Sequence, residues 1–456
     1  MTRFSTSETL ISIQSVPTAP YTASFQALGC RLNQSESGSL AGGFAAEGFE
    51  VVSEERPSDI SVINTCAVTA QAEAKCRSLI RRILKKNPGT FIAVTGCYAQ
   101  TGIDTLRRIQ GIDLIAGTDH KMTLPALLCE IAAQGPLRKQ AIPLVFHSPQ
   151  IKRKEFTIPN LSVFDRATRP NIKIQDGCDF FCTFCIIPYT RGRSRSRAFD
   201  DVFLEASIWA ARGYREVVLT GVNLGEYRSE GKDLLALIRA LETIKGLARI
   251  RISSIEPTTV SQDLIDWMNT SKKLCPFLHL PLQSGSDRTL LHMDRRYTRR
   301  DYIGFVREAA AKIPELGLGT DVMTGFPGED EAAFEETLSL LQSLPFSYLH
   351  VFPYSRRKGT RVTRGDLPPV HPAAIKRRTK VLRALSDTMR ERFYKRHIGQ
   401  TVSVLFETRN EDGLFTGLTG NYIRVGINTP EDLSGLLRPV RIQSVSGGLA
   451  LGECVA

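Results

Sequence analysis

The chain has no apolar run approaching the roughly 18 residues that a membrane-spanning helix needs. Its first twenty residues, rich in Ser and Thr, lack the apolar stretch of a secretory signal. Neither a membrane partner nor export is expected, so the expected location is the cytoplasm, with residues 1–21 as a disordered leader. No internal repeat at solenoid period and no compositionally biased tract occurs among the 456 residues, which excludes repeat arrays, collagen-like or coiled-coil chains and mainly disordered ones. What remains is the composition of a folded protein, 42% hydrophobic and 23% charged, long enough for two or three domains.

Excess charge is also scarce over most of the chain. Lys and Arg number 59 against 47 Asp and Glu, a net +12, yet residues 351–400 alone hold 14 basic and 3 acidic residues. A positive field focused on one segment suits a polyanion such as nucleic acid. Residues 401–456, by contrast, sum to about −2.

Ten cysteines, at 30, 66, 76, 97, 129, 178, 182, 185, 275 and 454, are many for a cytosolic chain. In a reducing compartment clustered thiols bind metal or do redox chemistry more often than they pair as disulfides. From Ala23 to about Ala116, β-like runs at 24–28, 59–64, 91–95 and 113–115 alternate with helical stretches, which predicts a parallel sheet with right-handed crossovers. Cys30, Cys66 and Cys97 each stand just past one of these runs. All strands of a parallel sheet end on one edge, where ligands of open α/β sheets gather, so these three thiols are expected to converge. Cys76, Cys129 and Cys275 read as packing residues and Cys454 as inert.

Residues 135–165, with Gly135, Pro136, Pro143, Pro149, Pro159 and the run Lys152-Arg153-Lys154, read as a linker. A second alternating series predicts strands at 171–175, 216–220, 249–254, 277–280, 318–322 and 347–352, followed by a long basic helix at 373–396. Six such units make a full or partial barrel with its active site at the carboxyl ends of the strands. After Gly399, β-like runs at 402–407, 422–427 and 440–444 mark a small all-β module. The expected fold class is therefore α/β: an N-terminal parallel-sheet domain at 22–134, a central partial (β/α)6 barrel with its basic helix at 166–398, and a β module at 399–456.

The sharpest signal is Cys178-Asp179-Phe180-Phe181-Cys182-Thr183-Phe184-Cys185, a C-x3-C-x2-C loop directly after the first barrel strand. It has no fourth Cys or His nearby, whereas structural zinc normally takes four ligands. A [4Fe–4S] cubane also normally has four cysteines, so three leave one iron open to a substrate. Phe180, Phe181 and Phe184 either keep a cluster dry or pack the barrel mouth. Asn223 and Glu256, in the segments that close the second and third barrel strands, are candidates to approach a bound cofactor, or else turn residues satisfying local backbone. Gln283-Ser284-Gly285 ends a later strand and either lines the pocket or turns the chain. No catalytic side chain beyond the cysteines stands out.

The segments GCRLNQSES at 29–37, NTCAVT at 64–69, GCYAQ at 96–100 and QDGCDFFCTFCIIPYTRGRSRSR at 175–197, with the six-strand series, resemble the radical S-adenosylmethionine methylthiotransferases. NTCAVT, GCYAQ and IIPYTRGRSRSR are most similar to the branch that modifies N6-threonylcarbamoyladenosine beside the tRNA anticodon. The resemblance covers about residues 22–456. It implies two [4Fe–4S] clusters, an auxiliary one on Cys30, Cys66 and Cys97 and a radical one on Cys178, Cys182 and Cys185. It further implies that S-adenosyl-L-methionine binds the open iron of the second and is reduced to a 5′-deoxyadenosyl radical. The C-terminal module resembles an RNA-gripping TRAM domain, although its negative sum leaves most phosphate contact to residues 351–400. Arg191, Arg193, Arg195 and Arg197 either meet the anticodon-loop backbone or pair with barrel carboxylates. Implied partners are the tRNA anticodon stem-loop, an electron donor such as flavodoxin or ferredoxin, and a sulfur source.

An adenine C2–H bond is too weakly acidic for side-chain acid–base catalysis, worth about 10²–10⁴-fold, to open it, and a radical does so. The expected reaction is methylthiolation of C2 of N6-threonylcarbamoyladenosine at position 37 of tRNA. Alternative substrates are N6-isopentenyladenosine in tRNA or an aspartate of a ribosomal protein. A different class altogether is a non-catalytic iron–sulfur protein for RNA binding or electron transfer, which predicts no turnover of S-adenosylmethionine.

Overall fold

A computed structural model describes residues 21–149, 151, 158 and 167–455. Residues 1–20 of the expected leader and the Lys152-Arg153-Lys154 run lie outside the described residues.

The N-terminal part is a parallel sheet of β1 (Thr22–Ala27), β2 (Glu50–Val51), β3 (Ile60–Thr65), β4 (Phe91–Gly96), β5 (Leu114–Ala116) and β6 (Leu144–Phe146), in the order β2-β1-β3-β4-β5-β6. Every residue of β3 and β4 is buried, as expected of strands covered by helices on both faces. The Ala70–Lys86 helix covers one face; Thr69 caps it by accepting from the Ala72 N–H, and Cys76, Leu79 and Ile80 form its buried stripe. Because β1, β3 and β4 are neighbours, Cys30, Cys66 and Cys97 follow three adjacent strands at one sheet edge.

The linker expected at 135–165 is only partly one. Leu144–Phe146 pairs in parallel with β5, so the segment supplies a sixth strand. Three apolar residues are too short to show a period, and Pro143 stands just before the strand, where its missing N–H interrupts no ladder.

The central part carries β7 (Asn171–Lys173), then a short hairpin of β8 (Gln175–Asp176) and β9 (Arg195–Ser196) from which the cysteine loop hangs. There follow β10 (Glu216–Thr220), a two-residue pair β11 (Arg228–Ser229) and β12 (Lys232–Asp233), β13 (Arg249–Ile252), β14 (Phe277–His279), β15 (Gly317–Thr324) and β16 (Tyr348–Pro353). The ladders β13-β10-β7 and β14-β15-β16 are parallel and are joined by bridges Ile250↔Leu274 and Ser254↔His279. Among the described residues no ladder joins β16 to β7, so the barrel is open on that side. The Arg31–Ala46 helix lies along β7, with Ser35 Oγ donating to the Asn171 carbonyl at 2.9 Å.

Alternation sorts the strand residues. Ile172, Leu219, Ile250, Leu278, Leu318, Val322, Leu349 and Val351 share one core with the outer helices. Their neighbours Lys173, Glu216, Arg251, His279, Asp321 and His350 therefore face the lumen, which is polar. The Pro372–Lys395 helix closes the series against β16, where Ser386 Oγ accepts from the Leu349 N–H.

The C-terminal module is a closed barrel, β17 (Thr401–Arg409), β18 (Phe415–Thr419), β19 (Arg424–Ile427), β20 (Leu437–Ser446) and β21 (Leu449–Cys454), in the order β17-β18-β19-β21-β20. Strands β18 and β21 join those legible from sequence. The module docks at the amino ends of the central strands, where Arg251 donates to the Gly420 and Thr419 carbonyls at 2.8 and 3.0 Å.

Candidate cluster and cofactor site

The turns after β1, β3 and β4 are tied to one another. Asn33 Nδ2 donates to the Leu28 and Thr65 carbonyls at 2.7 and 3.0 Å, Asn64 Nδ2 donates to the Asn33 carbonyl at 2.9 Å, and Thr65 Oγ1 donates to the Thr95 carbonyl at 2.5 Å. Gly29 sits at φ +99°, and a Cβ there would fall 2.7 Å from the Cys66 Cβ, so the turn that presents Cys30 requires glycine. Burial pushes the Cys66 thiol up to about 12, and Cys97, Cys30 and Cys76 add to the push. Cys66 thus lies within electrostatic reach of both other predicted ligands, with Cys76 alongside in the core.

In the C-x3-C-x2-C loop, the Cys178 N–H donates to the Gly192 carbonyl at 3.2 Å, and the Cys185 N–H to the Cys182 carbonyl at 3.0 Å. Gly177, at φ +72°, has no room for a Cβ, which would lie 1.9 Å from the Arg193 carbonyl oxygen. Thr183 anchors the loop's centre through its hydroxyl to the His292 carbonyl at 2.8 Å. Burial raises all three thiols, Cys185 to about 12, and the nearness of Cys182 adds to the effect on both others. Phe180 lies under the Arg296 guanidinium at 4.2 Å, Phe181 under that of Arg193 at 4.3 Å, and Phe184 packs edge-on to Phe326. The phenylalanines are packing residues that also shield the thiols.

These donor sets suit an iron–sulfur core. Among the described residues no group of three or more His, Cys, Asp or Glu closes tightly enough to hold a lone metal ion. Thiols raised in this way, as at Cys66, Cys178, Cys182 and Cys185, stay unreactive by themselves and ionise when a cationic core takes them as ligands.

Between the triads lies a buried ion network that sequence reasoning did not find. Glu36, 1% exposed, pairs with Lys121, Lys173 and Arg191 at 2.5, 2.6 and 2.8 Å. Asp176 pairs with Lys173, Arg191 and Arg195 at 2.7, 3.0 and 3.3 Å. Arg191 also donates to Asn33 Oδ1 at 2.7 Å, reaching the turns of the first triad, while Asp176 Oδ1 accepts from the Gly177 N–H at the foot of the second. Burial alone would raise both carboxyls, but the surrounding cations outweigh it and hold both below the usual carboxylate range.

Of the two readings of the arginine run, contact with RNA backbone or pairing with carboxylates, pairing holds for three of the four. Arg191 and Arg197 are 1% exposed, Arg195 pairs with Asp176, and Arg197 pairs with Glu205. Only Arg193 of the four faces solvent, 71% exposed at its side chain.

The strand ends beside the cysteine loop carry the other candidates. Asn223 uses Oδ1 for the turn, accepting from the Glu256 N–H at 3.1 Å and the Thr259 hydroxyl at 3.0 Å, while its Nδ2 is buried without a partner. Ser253 Oγ and Gln283 Oε1, just past the ends of β13 and β14, are likewise buried and unpartnered. Gln283 holds φ +67°, a conformation rare for a side-chain residue and found where a site demands it. Asn223, Ser253 and Gln283 thus each leave a buried polar atom idle beyond the carboxyl ends of the barrel strands. Glu256 is not idle: both its oxygens accept from Arg295, whose Nη1 also donates to Cys182 Sγ at 3.3 Å. Arg295 was missed because its partners lie 39 and 113 residues away in sequence.

An open parallel barrel with three cysteines after its first strand is the architecture expected of a radical S-adenosylmethionine protein. Residues 172–341 match the radical SAM superfamily, and residues 22–117 match the uncharacterized protein family UPF0004. The chain is 35% identical over 428 residues to the threonylcarbamoyladenosine tRNA methylthiotransferase MtaB of Bacillus subtilis, covering 92% of this chain and 93% of that one. It is 34% identical to the tRNA-2-methylthio-N(6)-dimethylallyladenosine synthase of Thermodesulfovibrio yellowstonii, over 86% of this chain and 89% of that one. In fold it is similar to the radical S-adenosylmethionine methyltransferase TsrM from Kitasatospora setae, with a TM-score of 0.55, 15% identity, and 74% and 75% of the two chains covered. The chain belongs to the radical S-adenosylmethionine methylthiotransferase family. It is accordingly an enzyme whose cofactors include S-adenosylmethionine and a [4Fe–4S] cluster.

Proposed function

We propose that this enzyme methylthiolates C2 of N6-threonylcarbamoyladenosine at position 37 of tRNA. Cys178, Cys182 and Cys185 would hold the radical cluster, and Cys30, Cys66 and Cys97 a second, auxiliary one. When bound, the clusters and S-adenosylmethionine supply one-electron chemistry and a sulfur-bearing site, for which a reduced flavodoxin or ferredoxin and a sulfur source in the cytoplasm are the proposed partners.

The chain's own residues do the rest. Phe180, Phe184 and Phe326 exclude water beside the loop. Asn223, Ser253 and Gln283 offer hydrogen bonds to the cofactor's polar groups, and Arg295 fixes Glu256 and the Cys182 sulfur together. The observation that carries the reading is Arg191. Buried between the two cysteine sets and bonded to Asn33 on one side and Asp176 on the other, it ties them across the junction in one rigid relation. Sulfur transfer to a carbon needs such fixed proximity.

The proposed division follows these tasks: the N-terminal sheet, extended to Phe146, for the auxiliary site, 166–398 for the radical site, and 399–456 for RNA. Exposed Arg356, Lys358, Lys376, Lys380 and Arg392 have no carboxylate within ion-pair distance among the described residues and offer the phosphate-facing surface. Mass analysis of tRNA nucleosides tests the reaction. A strain lacking the gene should lose the 2-methylthio form of threonylcarbamoyladenosine; an unchanged profile refutes it, and loss of the isopentenyl form instead assigns the chain to the other branch.

A further inference from the structure

The lumen holds a second polar constellation, away from the cysteines. Asp321 Oδ1 accepts from His350 Nδ1 at 2.8 Å and lies 3.1 Å from His279 Nε2, and His279 Nδ1 meets the Tyr348 hydroxyl at 3.0 Å. Asp321 and His279 are largely buried, with side chains 20% and 13% exposed, whereas His350 is 68% exposed. His350 stands on β16, the strand whose unpaired edge leaves the barrel open. With Nδ1–H given to the carboxylate the ring is fixed, and Nε2, turned away from Asp321, becomes a second donor when the ring is protonated, the state that the carboxylate favours.

The strand that carries His350 runs on toward both cysteine sets. The His350 ring is 5.7 Å from Phe352, which packs with Phe184 and Phe326 in the apolar layer under the cysteine loop. Just beyond β16, Ser355 Oγ accepts from the Ala70 N–H and Arg357 donates to the Ala67 carbonyl, close to Cys66. Burial would raise Asp321, but His279 and His350 hold it low and ionised; its bond raises His350 in turn, while Arg383 from the neighbouring helix works against protonation.

We propose that His350, oriented by Asp321 and His279, is the specificity-determining residue that binds the carboxylate of the substrate's threonylcarbamoyl group. The assignment rests on the substrate reading above. An anionic group at the adenine N6 side is met by the protonated His350 ring, whereas an isopentenyl group offers neither charge nor acceptor. His350 is exposed and at a sheet edge, so replacing it leaves the fold intact.

The test is anaerobic fluorescence anisotropy of the full-length, cluster-loaded protein without S-adenosylmethionine. The probes are anticodon stem-loops carrying unmodified adenosine, isopentenyladenosine or threonylcarbamoyladenosine at position 37. The wild type should prefer the threonylcarbamoyl loop. His350→Ala should reduce that preference about ten- to a hundred-fold, the range of a hydrogen bond to a charged group, and leave the unmodified loop's affinity within about twofold. His350→Gln, which keeps a donor, should recover part of it. A preference untouched by His350→Ala, or an equal loss for all three loops, overturns the role given to the histidine. A wild-type preference for the isopentenyl loop overturns the substrate reading instead.

Discussion

Glu36→Gln is the most direct probe of the junction that holds the two cysteine sets together. The change keeps shape and removes one charge. In the native network two carboxylates face four cations, Lys121, Lys173, Arg191 and Arg195. With Glu36 neutral, only Asp176 remains against all four, and Lys121 loses its carboxylate. Removing one partner of a buried ion pair costs about 3–5 kcal/mol, and three partners at 2.5–2.8 Å place this site toward the upper end. Against the usual 5–15 kcal/mol of domain stability, that is a large fraction. Urea unfolding reads it directly: with m of about 1–3 kcal/mol/M, the midpoint should fall by roughly 1 M or more. Arg191→Met on the Glu36→Gln background should cost less than the sum of the single changes, with a coupling of about 1–3 kcal/mol. A midpoint within about 0.3 M of wild type, or strictly additive losses, would refute the network as the tie between the two parts.

Cys182→Ala should abolish 5′-deoxyadenosine formation and remove about four irons per chain, whereas Cys66→Ala should remove a similar number and leave S-adenosylmethionine cleavage in place; iron analysis with product chromatography separates them. Arg295→Met deletes a donor and a positive charge beside Cys182 Sγ, so an EPR-monitored titration should show the radical cluster's potential moved to more negative values, and an unmoved potential counts against the contact. Because Glu36 and Asp176 titrate below their unfolded values near 4, their stabilisation is full above that pH and is lost as pH falls through the lower folded values. Urea midpoints should therefore drop in acid, and less so in the Glu36→Gln protein. Lys376→Gln with Lys380→Gln should lower the salt dependence of tRNA binding by about 0.7–0.9 in log–log slope per lost phosphate contact.

Much of the site could be read without coordinates because it is written in local spacing. Strand-ending cysteines one βα unit apart and a C-x3-C-x2-C loop need only the rule that parallel strands end together. The failures share a cause: they depend on partners distant in sequence. In the run Arg191-Gly192-Arg193-Ser194-Arg195-Ser196-Arg197 every second residue is arginine, but for none of them does the sequence name a carboxylate partner. In the fold the Ile187–Arg191 helix ends there, Gly192 turns the chain at φ +78°, and only Arg195–Ser196 is extended. The period therefore never becomes a face, and three of the four guanidiniums turn inward to Glu36, Asp176 and Glu205. At Glu256 the distant partner is Arg295, which no local pattern announces. Leu144–Phe146 and β18 are strands chiefly through what they pair with, β5 in one case and β17 and β19 in the other.

The same dependence limits what the three parts can do alone. Arg251 is wholly buried, held by Glu216 at 2.7 Å and by two carbonyls of the C-terminal module, and Arg249 reaches the Leu418 and Ser403 carbonyls of that module. A chain ending near residue 398 removes all four acceptors at once and opens the floor of the lumen to water. Each buried hydrogen bond from a charged group left unmade costs about 1–3 kcal/mol, so such a truncation destabilises the barrel itself. The module therefore contributes to the active site's scaffold whatever its grip on tRNA. Its negative sum and the exposed positive helix beside it divide those two roles between neighbouring elements. Point changes on exposed lysines separate binding from stability, and deletion of the module does not.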